Sequence, residues 1–134
     1  MQDIQAILGK RWFVAYCRKS SEPEDKQLQS ITDQVKAVKE YCQGHDLPLL
    51  KIFSESKSGG NPDRPVFNEL INFPKQRPDI KGIIGWSMSR QSRNPESDGL
   101  LKGLLYRKQI EQIIDLSENK IYTDANDIGL VIEQ

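Results

Sequence analysis

Trp12-Phe13-Val14-Ala15-Tyr16-Cys17-Arg18-Lys19-Ser20-Ser21 is the stretch on which the reading of the whole chain turns. Its first four residues are apolar, aromatic or β-branched, the composition of a strand buried on both faces. Glu22-Pro23-Glu24-Asp25 breaks that strand, and a helical pattern follows. A serine just past the end of a central strand stands where open α/β sheets expose their functional groups, in the crevice outside the strand C-termini. Arg18 precedes Ser20 by two residues, so on an extended chain the two side chains share a side. A hydroxyl beside a guanidinium points to phosphate chemistry.

Outward from this stretch the apolar pattern alternates between strand and helix. From Asp25 onward, Leu28, Ile31, Val35, Val38 and Cys42 form one helical face, with Gln29, Ser30, Asp33, Gln34, Lys36 and Lys39 on the remainder. Gly44 reads as the left-handed residue that ends this helix. Leu49 to Phe53 is a second strand, and Ser54 to Pro62 a polar, glycine-containing loop. Asp63-Arg64-Pro65 opens a helix, with Asp63 as N-cap and Phe67, Leu70 and Ile71 as its buried stripe. Pro74 and Pro78 bracket the turn after it. Ile80 to Trp86 is a third strand, Ser87 to Arg93 a polar loop, and Asn94-Pro95-Glu96 a further helix start leading to Leu100, Leu101, Leu104 and Leu105. Ile110 to Leu116 and Lys120 to Thr123 are short strands around Ser117-Glu118-Asn119.

This order predicts an α/β fold, an open and mainly parallel sheet with helices on both faces in three layers. Parallel strands end at one edge. The segments with Arg18 and Ser20, with Ser58 and Arg64, and with Ser89, Arg90 and Arg93 should therefore gather there, placing four arginines around one hydroxyl.

The chain of 134 residues is the size of one domain. Residues 1–10 read as a polar leader and residues 11–134 as the domain. Asp127 to Gln134 opens an apolar pattern that stops short, as expected of a domain cut from a longer protein. Nineteen basic residues balance nineteen acidic ones, which excludes a strong sequence-blind grip on nucleic acid through overall charge. Positive charge must act locally. Cys17 and Cys42 have no metal-site spacing and read as reduced core residues of a cytoplasmic protein. No apolar run reaches membrane-spanning length.

Four collinear pieces carry a resemblance. Tyr16 to Ser21 is followed by Gln29-Ser30-Ile31 with Gln34, then by Glu55-Ser56-Lys57-Ser58-Gly59 with Asp63-Arg64-Pro65. Trp86 through Arg90-Gln91-Ser92-Arg93-Asn94-Pro95 completes the set. Together they resemble the catalytic domain of the serine site-specific recombinases, the resolvase/invertase family, in the branch holding large serine and transposon recombinases. The resemblance implies that Ser20 attacks a DNA phosphodiester to give a 5′-phosphoserine linkage and a free 3′-hydroxyl. Arg18, Arg64, Arg90 and Arg93 would hold the phosphate charge without metal or cofactor, and Gln29, Gln34 and Ser58 would support them. It also implies double-stranded DNA as partner, a homodimer assembling to a tetramer on it, further DNA-binding parts beyond this chain, and no membrane.

One position departs from the family. An aspartate usually stands directly before the arginine at Arg90, and here Ser89 does. That keeps a catalytically silent assembly module as an alternative. A flavodoxin-like small-ligand domain is a further one, although the first loop lacks the glycines that cradle a phosphate. Taken singly, Ser20 would serve as a helix cap and each arginine as a solvated charge. Tyr16 reads as core, and His45 needs no role.

Overall fold

Among the described residues β1 (Trp12–Arg18) is the first strand, and it lies inside the sheet, with β2 (Leu49–Glu55) on one side and β3 (Ile80–Gly85) on the other. The computed structural model describes residues 11–19, 30–55, 65–88 and 95–123. Beyond β3 come β4 (Gln112–Asp115) and β5 (Lys120–Tyr122), giving the order β2-β1-β3-β4-β5. The first four strands are parallel, and β5 returns antiparallel to β4.

Alternation along β1 sorts the core into two layers. Val14 and Tyr16 join Phe67, Leu70 and Ile71 of helix α2 (Pro65–Gln76) and Leu101, Leu104 and Leu105 of helix α3 (Pro95–Tyr106). Phe13, Ala15 and Cys17 join Val38 and Cys42 of helix α1 (Ile31–Gly44) on the opposite face. This is the three-layer α/β architecture expected from the alternating pattern. Both cysteines are buried in the α1 layer, and burial pushes their thiols up to about 11, so they are neutral near pH 7.

Several boundaries differ from the sequence reading for physical reasons. Ser30 is not part of the α1 face. It is the N-cap, with extended backbone and a side chain that accepts from the Asp33 amide at 3.0 Å. Leu28 and the expected start at Asp25 lie outside the described residues. The left-handed residue closing α1 is Asp46 (φ 55°) rather than Gly44, which is still helical. α2 continues through Pro74 to Gln76, because a proline near the end of a helix forfeits only one late hydrogen bond. β2 runs on to Glu55, two residues past the apolar run, and β3 stops at Gly85, one residue before Trp86.

Candidate functional site

The parallel strands β1, β2 and β4 each end on a buried polar residue: Arg18 (7% exposed), Glu55 (2%) and Asp115 (0%). With Gln34 of α1 (5%), these are the buried polar or charged residues among those described. All belong to one edge of the sheet. Burying such groups is costly unless each is hydrogen-bonded, so their partners define the site.

Arg18 is held through its backbone. Its pairing with β2 extends to Arg18↔Glu55, and the Lys19 amide donates to the Glu55 carbonyl at 3.0 Å. Pairing with β3 stops earlier, at Tyr16↔Gly85. The side chain of Gln34 stands in for the missing strand. Its Oε1 accepts from the Arg18 amide at 3.1 Å and its Nε2 donates to the Arg18 carbonyl at 2.8 Å. A carboxamide suits this place because it offers one donor and one acceptor in the geometry of a peptide group. Strand alternation puts the Arg18 guanidinium on the face of Val14 and Tyr16, towards α2. The β1–β3 pairing thus ends at the point where the strand order reverses, the place at which open α/β sheets bind ligands.

Glu55 is the counterpart on β2. Tyr16 Oη donates to its Oε1 at 2.6 Å, and the Val66 amide in the first turn of α2 donates to its Oε2 at 3.2 Å. The Tyr16 ring stands edge-on to Phe67, with centroids 5.5 Å apart, so the phenol is fixed by packing as well. At the end of β4, Asp115 Oδ1 accepts from Ser117 Oγ at 2.8 Å and from the Glu118 amide at 3.2 Å, closing the turn into β5.

Of the residues singled out from sequence, the structure brings Arg18 and Gln34 together. Ser20, Gln29, Ser58, Arg64, Ser89, Arg90 and Arg93 lie outside the described residues, as does the leader, residues 1–10. Gln34 does not occupy a solvated helix position, as polarity alone suggests, but is buried against β1. Glu55 and the hydroxyl of Tyr16 were missed. An acid closing an apolar strand reads as the start of a loop, and its two donors come from distant parts of the chain. The signal available was Tyr16 itself, a phenol two residues from Arg18 on the same face.

A cleft of about 270 Å³ lined by Pro74, Lys75, Gln76, Pro78, Lys108 and Gln109 lies at the other edge of the sheet and takes no part in this arrangement. Among the described residues no helix is long and apolar enough to cross a membrane.

Comparison with known proteins bears on the family and the fold. Residues 13–134 match the family model described as Resolvase, N terminal domain. The N-terminal catalytic domain of TP901-1 integrase superposes with a TM-score of 0.71 at 18% identity, covering 92% of this chain and 95% of that one. A resolvase family site-specific recombinase from Streptococcus pneumoniae gives 0.67 at 14% identity, covering 92% and 87%. The C-terminal catalytic domain of ISC1926 TnpA, an IS607-like serine recombinase, gives 0.58 at 17%, covering 90% and 76%. At these identities the structural likeness is one of fold. No curated protein matches the chain by sequence.

Proposed function

Because this chain belongs to the resolvase N-terminal domain family, the catalytic domains with which serine recombinases cleave and rejoin DNA, we propose that Ser20 is its nucleophile and Arg18 part of its phosphate site. In the cleavage step Ser20 Oγ bonds to a backbone phosphorus and loses its proton, while the P–O3′ bond breaks and the 3′ oxygen takes up a proton. The phosphoserine ester conserves the phosphodiester bond, so a 3′-hydroxyl can reverse the step and reseal DNA without a nucleotide.

Guanidinium groups suit the charge that builds on the non-bridging oxygens, because their fork matches two oxygens at once. Arg18 takes that role together with Arg64, Arg90 and Arg93. Gln29 and Ser58 support them, and Gln34 acts through the backbone of Arg18. Ser89, where the family resemblance leads one to expect aspartate, can donate a hydrogen bond but cannot carry negative charge near neutral pH. Strand exchange needs two cut duplexes, so dimers pairing as a tetramer on double-stranded DNA complete the reading, in the cytoplasm where that DNA lies.

The observation that carries this reading is the buried Arg18 at the end of a central strand, gripped by β2 on one side and Gln34 on the other. A freely solvated arginine needs no such hold. The test is a trapping DNA substrate whose cut end cannot be resealed. The parent protein should form a covalent adduct through a 5′ phosphate, Ser21→Ala should keep it, and Ser20→Ala should abolish it. Mass spectrometry placing the phosphate on Ser21 would overturn the assignment.

A further inference from the structure

We propose that the cleft at the opposite edge of the sheet, between the C-terminal ends of α2 and α3, is a docking site for an extended acidic peptide segment of a partner protein. The site stands apart from the DNA reaction and uses none of the residues assigned to it. The cleft holds about 270 Å³, lined by Pro74, Lys75, Gln76 and Pro78 from the end of α2 and by Lys108 and Gln109 from the turn after α3. That volume falls just short of the roughly 300 to 1,000 Å³ of small-molecule and cofactor pockets, and it suits a few residues of chain laid across it.

Asp79 and Glu111, the acids nearest in sequence to the cleft residues, are already engaged by Arg77 and Arg11. Lys75 and Lys108 are exposed and pair with no acid among the described residues. A lysine near a helix end complements the helix dipole and by itself implies no ligand. Lys108 differs in its backbone. At φ 60° it takes the left-handed position after α3, its amide donating to the Leu105 carbonyl at 3.1 Å and the Gln109 amide to the Leu104 carbonyl at 2.9 Å. Glycine fills that position with less strain, so a cation is set at the cleft against the preference of the backbone.

The uncharged lining selects the ligand class. Gln109 Oε1 is buried, yet it has no hydrogen-bond partner among the described residues. A buried acceptor without a donor is destabilising, so a ligand that brings a donor is favoured there. A phosphodiester backbone brings oxygens that would meet the lysines and leave Gln109 unsatisfied. An acidic peptide brings both groups: carboxylates for Lys75 and Lys108, and a main-chain N–H for Gln109. The same device operates at the other edge, where the carboxamide of Gln34 takes both the amide and the carbonyl of Arg18. Gln109 holds one peptide unit of the partner in this way.

The test is an NMR titration of the backbone amides with a short, acetylated and amidated peptide of alternating aspartate and glutamate. Saturable shifts should appear at Lys75, Gln76, Lys108 and Gln109, and not at Arg18 or Lys19. Lys108→Gly removes the cation and suits the left-handed backbone, so it should fold at least as well and bind about two- to fivefold more weakly. Gln109→Leu keeps the volume and should weaken binding about tenfold. N-methylation of the peptide backbone should weaken binding to the parent by a similar factor, and should cost nothing further in Gln109→Leu, because both changes remove one contact. A short oligothymidylate should leave the cleft amides unmoved.

No saturable shift at the cleft would overturn the proposal, as would binding undiminished by either variant or by N-methylation. Equal shifts with the oligothymidylate would assign the cleft to phosphate instead. Shifts of the same amides on raising the protein concentration without peptide would assign it to a second copy of this chain, and would overturn the proposal as well.

Discussion

The two edges of the sheet treat charge in opposite ways. At the C-terminal edge Arg18, Glu55 and Asp115 are buried, and each closes a strand. At the N-terminal edge Arg11 pairs with Glu111, and Arg77 forms a two-pronged pair with Asp79 at 2.6 and 3.0 Å, all with side chains 22 to 50% exposed. Exposed pairs of this kind contribute about 0 to 1 kcal/mol and can be exchanged freely. Buried polar groups are different: each is neutral to stability only while every partner is present, and costs about 1 to 3 kcal/mol when one is removed. A fold that concentrates them at one edge is therefore rigid there and forgiving elsewhere, which is what preorganised phosphate chemistry requires.

The largest effect expected from this contrast is at Gln34. Gln34→Leu keeps the volume but strips the Arg18 amide and carbonyl of their partners, a loss of about 3 kcal/mol in urea unfolding. A loss below about 1 kcal/mol would put the two edges on the same footing. Gly85→Ala comes next. A Cβ there would stand 2.9 Å from the Tyr16 carbonyl and 2.5 Å from Met88 Sδ. The methionine can swing aside, but the carbonyl belongs to β1, so the strand itself must shift. A destabilisation of about 1 to 3 kcal/mol should follow, read from the unfolding midpoint. The smallest effect belongs to the other edge. Arg77→Ala removes an exposed ion pair and a cation lying 5.5 Å from the Phe73 ring, for less than about 1 kcal/mol. A larger loss would show that exposure is a poor guide to which edge matters.

The layered architecture was legible because each strand announces itself by a run such as Trp12 to Ala15 or Ile80 to Gly85, and each helix by a spaced stripe such as Phe67, Leu70 and Ile71. That Arg18 closes β1 on the face of Val14 and Tyr16 was legible from alternation. Gln34 as a clamp was not, because helical periodicity sorts residues by polarity and cannot see that a strand neighbour ends two residues early. Glu55 was hidden for a related reason. Its partners are a hydroxyl on another strand and an amide eleven residues onward, and no local pattern encodes that meeting. Pro74 misled by its general habit, since its cost depends on how much helix remains beyond it.

The place of β1 in the sheet has a consequence for how the protein is made. It leaves the ribosome before β2 and β3, yet it pairs on both edges with these later segments: Phe13 must wait for Leu49 on one side and Gly82 on the other. Until then Trp12-Phe13-Val14-Ala15-Tyr16-Cys17 is a hydrophobic strand with two open edges, the kind of nascent segment that templates aggregation or engages chaperones. Closure on the β3 side spans most of the finished domain, and such non-local pairing is slow. The strand that fixes Arg18 in the folded protein is thus the one most in need of shielding during translation.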